Sequence, residues 1–369
     1  MLSGYATTAG TDTYRQRFAT SAHPLHFRLS ANLWLSSIGL GTYLGDPTSQ
    51  TDELYDAAIR RALVCGCNVL DAAINYRHQR SERVIGQALT ALARENVLHR
   101  EEIVVATKGG YLAFDGDVPP DPRAYVQETF IKTGLASADD IVEWNCIAPR
   151  YIDNQVDRSL HNLNLDCLDI YYLHNPEAQL QKCSRSEFAR RIEAAFTVLE
   201  EKVASGKIRR YGTATWNGYR QQPTARDVLF LVDLVEIAER VGGKGHHFKL
   251  VQLPYNLGMT EALTQKNQRV GSHTVSVLEA THDYGITVMA SASILQGRLA
   301  HSLPTTVSEA LSGLQSDAQR ALQFTRSTPG ITTALVGMKS VAHVEHNLAV
   351  AKLPPASLEQ FQKLFRPQG

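Results

Sequence analysis

The chain has 369 residues, with 37 Lys and Arg against 37 Asp and Glu, so its formal net charge is zero. That balance excludes the strongly basic surface of a nucleic-acid or anionic-lipid binder, and a hydrophobic share of 43% excludes an intrinsically disordered protein. No apolar run approaches the roughly 20 residues of a membrane span, and the first residues lack the apolar core of a secretory signal. We therefore expect a soluble, cytoplasmic globular protein whose five cysteines are reduced.

Short apolar runs alternate with longer amphipathic segments along the chain, and the short runs predict strands buried on both faces. Eight such runs are present, at residues 35–42, 68–73, 102–108, 168–174, 210–216, 250–256, 286–292 and 331–337. The segments between them have helical periodicity; the one at 184–206 begins at a capping serine and ends at a glycine. Eight strands, each followed by a helix, predict one α/β domain over residues 1–369, a (β/α)8 TIM barrel. A doubly wound sheet is the alternative, but no strand is followed by its G-x-G-x-x-G fingerprint.

Three segments depart from a minimal barrel. Residues 24–35 alternate in polarity as an N-terminal hairpin does, and we expect this hairpin to close the N-terminal end of the barrel. About the first 23 residues are expected to form a flexible N-terminal extension. Residues 109–150, directly after the third strand, are far too many for an ordinary βα loop, so we predict that this insertion is an active-site lid.

Four polar side chains fall at the carboxyl ends of three consecutive predicted strands, where barrels carry their catalytic residues: Asp71, Tyr76, Lys108 and His174. A phenol has an ordinary pKa of about 10 and donates protons poorly near neutrality. A lysine beside it would lower the pKa of the phenol, a carboxylate would keep that lysine protonated, and a neutral imidazole would orient a carbonyl. The four residues together predict a general acid that protonates a carbonyl while a cofactor supplies hydride.

Each of these side chains also has an ordinary structural interpretation. Asp71 is compatible with a turn or helix cap, Tyr76 with packing, and His174 with a core histidine. Lys108 is harder to explain in this way, because an unpaired ammonium at the end of an apolar strand is costly to bury. The coincidence of all four at one rim favours the chemical interpretation.

The segments DAAINYRHQRSERVIGQAL, VATKGG, LDIYYLHNPE, VQLPYN and VGMKSVAHVEHNL resemble, in that order, the aldo-keto reductase superfamily. The resemblance runs from about residue 35 to about residue 353. It implies a (β/α)8 barrel that binds a nicotinamide cofactor, usually NADP, without a Rossmann domain. It also implies that Tyr76 is the general acid, that Lys108 and Asp71 tune it, and that His174 orients the carbonyl.

The resemblance further implies a set of cofactor contacts, namely Gly41, Thr42, Thr215, Gln252, Ser291, Gln296, Gly297, Lys339, Ser340, His343 and Asn347. The chain departs from the family pattern at two of the nicotinamide positions. It has Gly212-Thr213-Ala214-Thr215 where Gly-x-Ser-Asn is usual, so Thr215 keeps a hydrogen-bonding group and Ala214 does not. Ser291 stands where many members have a tyrosine that stacks on the nicotinamide.

The expected reaction is reduction of a small aldehyde or ketone to an alcohol, without metal, nucleic acid or membrane. Lys339 and Ser340 match the segment that holds the adenosine phosphate, which favours NADPH and leaves NADH possible. Two alternatives remain open, a redox-neutral lyase or epimerase on the same scaffold and a cofactor-binding sensor or regulatory subunit. The expected pocket walls are Tyr43, Arg77, His78, Tyr111, Trp144 and Trp216; the substrate and the oligomeric state are not predicted.

Overall fold

Segments that are buried on both faces become strands, because only a sheet covered by helices satisfies their backbone and apolar side chains together. The structure, a computed structural model, describes residues 1–365. The strands are β1 (Phe27–Ser30), β2 (Leu33–Ser36), β3 (Ile38–Gly41), β4 (Val69–Asp71), β5 (Val104–Gly109), β6 (Ile170–His174), β7 (Tyr211–Ala214), β8 (Phe248–Pro254), β9 (Gln268–Val270), β10 (His273–Val275), β11 (Thr287–Ser291) and β12 (Ile331–Gly337).

Eight of these strands form a closed parallel barrel in the order β3-β4-β5-β6-β7-β8-β11-β12, and β12 pairs with β3 to complete it. The prediction of a (β/α)8 barrel is confirmed. The first predicted run, 35–42, divides into the end of β2 and the barrel strand β3. Outside the barrel, β1 pairs with β2 and β9 pairs with β10, both antiparallel.

The helices pack around the barrel and bury one apolar face each. They are α1 (Thr8–Arg17), α2 (Ser49–Val64), α3 (Arg80–Arg94), α4 (Pro122–Val126), α5 (Pro149–Leu163), α6 (Arg185–Ala204), α7 (Leu231–Gly242), α8 (Glu261–Thr264), α9 (Val277–Asp283), α10 (Thr305–Ala310), α11 (Asp317–Ser327), α12 (Val341–Leu348) and α13 (Leu358–Lys363). The helix predicted at 184–206 is α6, capped by the Ser184 hydroxyl, which accepts the Glu187 N–H. Within residues 1–365, no helix combines the length and apolarity that crossing a membrane requires.

The predicted hairpin is present as β1 and β2. Leu33 and Leu35 of β2 are fully buried and pack against apolar residues at the amino ends of the barrel strands, among them Val69, Val104 and Ile170. The hairpin therefore closes the N-terminal end of the barrel, where a row of unsealed apolar side chains would otherwise meet water.

The N-terminal 23 residues differ from the flexible extension expected for them. They form α1, whose Tyr14 is 1% exposed and donates a hydrogen bond to the backbone oxygen of Leu63. The Ala6 N–H donates to the Asp169 carboxylate over 2.6 Å, and the Ala6 side chain joins the apolar cluster inside the barrel. These contacts come from isolated residues rather than from an apolar run, so periodicity alone gives no sign of them.

The insertion at 109–150 contains α4, a π-helical turn at Gln127–Ile131 and a short 3-10 turn at Ala138–Asp140. Its aromatic side chains pack on one another, with Phe114 contacting both Tyr125 and Trp144 edge to face. Asp115 forms ion pairs with Arg83 of α3 and Arg158 of α5. The insertion is thus packed along the outside of the barrel as well as beside its rim.

Candidate active site

A cavity of about 460 Å³ opens at the carboxyl end of the barrel strands. Its wall is formed by strand ends and by the loops that follow them, including those after β3, β4, β6, β7 and β11. Asp71, Tyr76 and His174 line it, and Lys108 lies directly behind them. The structure therefore brings together the four side chains that were proposed as catalytic.

Lys108 and Asp71 form a buried ion pair. Lys108, in β5, is fully buried, and its Nζ donates to Asp71 Oδ2 over 2.7 Å and to the backbone oxygen of Ala72 over 2.7 Å. The other Asp71 oxygen accepts a hydrogen bond from Gln252 Nε2 over 2.7 Å. Burial lowers the pKa of Lys108, and the Asp71 charge acts in the opposite direction. Each charge is compensated, as a buried pair requires.

Tyr76 lies directly over this pair, with Lys108 Nζ 4.7 Å from the centroid of its ring. Burial raises the pKa of Tyr76 well above its usual value, and the Asp71 carboxylate raises it further. This direction is opposite to the lowering expected from the neighbouring ammonium. The reason is that Asp71 already neutralises the charge of Lys108. Without a ligand, desolvation therefore changes the pKa of the phenol more than the ammonium does. Tyr76 therefore keeps its proton.

His174, at the end of β6, stands between two tyrosine rings. Its ring centroid is 5.8 Å from that of Tyr76 and 5.0 Å from that of Tyr111, both in edge-on contact. Burial lowers the pKa of His174 well below its usual value, and the Lys108 charge adds to the effect. The imidazole is therefore neutral near pH 7, as the sequence analysis expected. Its Nδ1 atom is buried and has no hydrogen-bond partner within residues 1–365.

The backbone at His174 is held by the insertion. Asn145 is fully buried, and its Nδ2 donates to the His174 backbone oxygen over 2.8 Å. Gly110 lies against the same oxygen, and a Cβ there would come within 2.7 Å of it. Gly110 also has a φ of +146°, which an L side chain rarely adopts. Sequence reasoning missed Asn145 because it is distant along the chain, whereas the glycine pair after Lys108 was a visible sign of close approach.

Six of the proposed cofactor contacts line the cavity, namely Gly41, Thr215, Gln252, Ser291, Gln296 and Gly297. The Thr215 hydroxyl is buried there and has no hydrogen-bond partner among the described residues. Thr42 does not line the cavity. It is fully buried and its hydroxyl donates to the Asp71 backbone oxygen over 3.0 Å, so its side chain supports the strand end rather than a ligand.

The proposed adenosine-phosphate residues lie beyond the cavity, at the junction of β12 and α12. Lys339 and His343 are exposed, and Lys339 forms no ion pair within residues 1–365. The Ser340 hydroxyl accepts the His343 N–H over 3.3 Å and caps α12. Asn347, on the same helix, is 5% exposed. Lys339, Ser340 and His343 lie at the N-terminal end of α12 and Asn347 lies in its last turn, and none of the four lines the cavity.

Of the expected pocket walls, Tyr43, Tyr111 and Trp216 line the cavity, and Arg77, His78 and Trp144 do not. Arg77 is buried in an ion pair with Asp52. His78 and Trp144 both pack on Phe114 of the insertion. Two further lining residues, Asn75 and Asn175, were not singled out in the sequence, although each directly neighbours a proposed catalytic residue.

Comparisons with known proteins place these features in context. A sequence model described as the Aldo/keto reductase family matches residues 37–365. Methylglyoxal reductase YeaE of Escherichia coli (strain K12) is 26% identical over 337 residues, covering 90% of this chain and 91% of that protein. The NADH-specific methylglyoxal reductase of the same organism is 31% identical over 190 residues, half of each chain. A solved aldo/keto reductase from Klebsiella pneumoniae, in complex with NADP and acetate, has a TM-score of 0.61 at 22% identity over 92% of this chain and 93% of its own, which shows a common fold.

Proposed function

The chain belongs to the aldo/keto reductase family, and on that basis we propose that it reduces an aldehyde or ketone with a nicotinamide cofactor, with Tyr76 as the proton donor. One observation carries the proposal: the buried Lys108–Asp71 pair lies 4.7 Å beneath the ring of a protonated tyrosine at a cavity wall. A buried ammonium at that position has no purely structural need, whereas it stabilises the phenolate that remains once the proton has been given up.

The residues of the cavity fit a nicotinamide carboxamide. The unpartnered Thr215 hydroxyl can both donate and accept. Gln252 donates its Nε2 to Asp71, and its Oε1 accepts no hydrogen bond from the described residues. When bound, the cofactor supplies the hydride that the chain itself lacks. Gln296 and Gly297, in the loop after β11, are the proposed contacts to its pyrophosphate.

The proton is supplied by the chain. Tyr76 holds it until the carbonyl oxygen becomes basic enough to remove it, and Lys108 then lies beside the resulting phenolate. His174 is neutral, so its ring donates or accepts a hydrogen bond without placing a charge near the carbonyl. Asp71 keeps Lys108 protonated and in place throughout.

The cofactor we favour is NADPH, because Lys339 is an exposed cation without an ion-pair partner among residues 1–365, at the start of α12. NADH remains the alternative, and one relative carries the name NADH-specific methylglyoxal reductase. We also propose that the insertion at 109–150 contributes to substrate binding, chiefly through Tyr111, which lines the cavity beside His174. The substrate is a small carbonyl compound, as the methylglyoxal reductase names of two relatives suggest.

A redox-neutral reaction on the same scaffold is the second candidate. It is favoured by Ala214 and Ser291, which replace a hydroxyl-bearing and a stacking residue of the family pattern and loosen the hold on the nicotinamide. A redox-neutral reaction needs the same cofactor to stay bound through both an oxidation and a reduction step. Weaker binding of the nicotinamide does not favour this, so simple reduction is the stronger proposal.

The test is a screen of small aldehydes and ketones, methylglyoxal included, with the absorbance of NADPH and of NADH followed over time. Steady consumption of the reduced cofactor with formation of an alcohol is the expected result. Substrate turnover without net consumption would favour the redox-neutral candidate. Binding of the cofactor without turnover of any carbonyl would contradict both.

A further inference from the structure

A buried carboxyl group outside the proposed reaction holds one wall of the cavity. Glu177 follows His174 by three residues, in the short 3-10 turn Pro176–Gln181, and is 4% exposed. Its Oε1 accepts hydrogen bonds from three consecutive backbone N–H groups, those of Trp216, Asn217 and Gly218, at 3.1, 3.1 and 3.2 Å. The donors all belong to the loop after β7.

The carboxyl group has no positive partner. No Lys, Arg or His within residues 1–365 forms an ion pair with Glu177, and its second oxygen, Oε2, is buried without any hydrogen-bond partner in the same residues. Burying a carboxyl group in this way is costly. The three N–H bonds offset part of this cost. They connect Glu177 to the loop after β7, which is therefore where we look for its function.

That loop carries Trp216, whose side chain is 40% exposed and lines the cavity next to Thr215. The backbone on either side is fixed independently: the Thr215 N–H donates to the Gln252 backbone oxygen, and the Tyr219 hydroxyl bonds the Thr213 hydroxyl. The three residues between these points have Glu177 as the acceptor for their N–H groups. Removing that acceptor would leave three N–H groups without a partner and free the turn to change shape.

We propose that Glu177 is a positioning residue that fixes Trp216 as the wall on which the carbonyl substrate packs, so that substrate binding follows the protonation state of Glu177. The kinetic part of this proposal rests on the proposed function, because it assumes a carbonyl substrate in the cavity. The structural part, the hold of Glu177 on Trp216, does not.

The direction of the pH effect follows from the surroundings of the carboxyl group. Burial raises the pKa of Glu177 to about 7, and the N–H bonds from the loop oppose this rise. The titratable groups that face it are the phenols of Tyr111, from the insertion, and Tyr219, from the loop. Burial raises the pKa of both phenols, so both stay neutral in this range. As the pH rises through 7, Glu177 ionises, its N–H bonds become charge-assisted and stronger, and Trp216 is held more firmly.

Fluorescence tests the structural part without cofactor or substrate. The chain has three tryptophans, so Trp34→Phe with Trp144→Phe leaves Trp216 as the sole tryptophan, which is excited selectively at wavelengths that tyrosine does not absorb. We expect its emission to change in one step centred near pH 7, and Glu177→Gln to abolish the step while keeping an oxygen that accepts the N–H bonds. Glu82→Gln is the matched control, because Glu82 is another buried carboxyl group with a raised pKa, bonded to Thr107 and Asn162 instead of this loop. It should leave the step unchanged. Absence of the step, or its persistence in Glu177→Gln, overturns the proposal.

Steady-state kinetics test the functional part. Glu177→Ala should raise KM for the carbonyl substrate about tenfold, the factor that corresponds to one lost net interaction, with kcat and the cofactor dissociation constant changed by less than about twofold. In the unaltered chain KM should fall as the pH rises through 7, and Glu177→Gln should remove that dependence. An unchanged KM in Glu177→Ala, or equal losses in KM, kcat and cofactor binding, overturns the proposal.

The two parts fail separately. If the chain reduces no carbonyl, the proposed function fails, while the fluorescence step still decides whether Glu177 holds Trp216. If Glu177→Ala does not fold, the pH dependence of KM and of fluorescence in Glu177→Gln decides instead.

Discussion

The side-chain amide of Asn145 donates a hydrogen bond to the backbone oxygen of His174 over 2.8 Å, and so joins the end of the 109–150 insertion to the end of β6. Asn145 is itself held by Gln179, whose Nε2 donates to both the backbone and the side-chain oxygen of Asn145 at 3.0 Å. The position of the imidazole therefore depends on a segment that is not part of the barrel. This connection lets the insertion hold the backbone of His174, a proposed catalytic residue.

Asn145→Asp keeps the size of the side chain and removes the donor, placing a carboxylate oxygen against the His174 carbonyl. We expect a lower kcat and a loss of roughly 1–3 kcal/mol in the free energy of unfolding, the cost of an unsatisfied buried group. Urea denaturation and steady-state kinetics measure the two effects. Gly110→Ala should act on the same carbonyl through steric contact. If both variants retain the unaltered kcat, the insertion does not orient His174.

Tyr76→Phe removes the hydroxyl of the proposed proton donor and leaves the ring. We expect kcat for carbonyl reduction to fall by about 10²–10⁴, the usual contribution of general acid catalysis, with the cofactor dissociation constant nearly unchanged. Tyr5→Phe is the control, because Tyr5 stacks under Arg209 and does not line the cavity. A Tyr76→Phe enzyme that keeps more than about a third of kcat would contradict the assigned role.

The Lys108–Asp71 pair should show strong coupling in a double-mutant cycle. Asp71→Asn alone leaves a buried ammonium without its counter-charge, which we expect to cost about 3–5 kcal/mol of unfolding free energy. Adding Lys108→Met should restore part of this loss, since the uncompensated charge is then gone. Chemical denaturation of the two single variants and the double variant measures the coupling; additive losses would mean that the pair is not buried as described.

Lys339→Ala tests the cofactor proposal. A charge-assisted contact with a 2′-phosphate is worth roughly 1.5–3 kcal/mol, so NADPH binding should weaken by about ten- to a hundredfold while NADH stays within about twofold. Fluorescence titration with each cofactor measures both constants. His343→Gln shows whether the imidazole adds to the preference for NADPH. If Lys339→Ala changes neither constant, the preferred cofactor is NAD.

His26 should make the barrel sensitive to acid. Burial and, to a smaller extent, the nearby Arg326 and Arg28 charges lower the pKa of His26 to about 3. The unfolded chain therefore binds a proton at His26 below about pH 6.5 that the folded chain does not, and the free energy of unfolding should fall from pH 6.5 toward pH 3. His26→Gln should flatten this part of the profile in denaturation at pH 7 and pH 5. His174 contributes in the same direction and remains in the variant as a residual slope.

The sequence predicts the barrel well because each barrel strand is a local pattern, an apolar run of suitable length. It also predicts that Asp71 and His174 reach the cavity, because strand ends of a parallel barrel meet there, but it fails for the loop residues Arg77, His78 and Trp144. It does not predict contacts made by isolated residues, such as Tyr14 against Leu63, or by residues far apart in the chain, such as Asn145 against His174. The expected lowering of the Tyr76 pKa is wrong for a related reason, since the burial of Tyr76, the largest cause of the rise, and its closeness to the Asp71 charge are defined only by the folded geometry.

The β1–β2 hairpin has a consequence for the order of events at the other end of the barrel. Because Leu33 and Leu35 close the N-terminal end of the barrel, any ligand of the cavity enters and leaves through the opening between the loops at the carboxyl ends of the strands. If two ligands use this single opening, the one that lies deeper in the cavity is expected to bind first and to dissociate last.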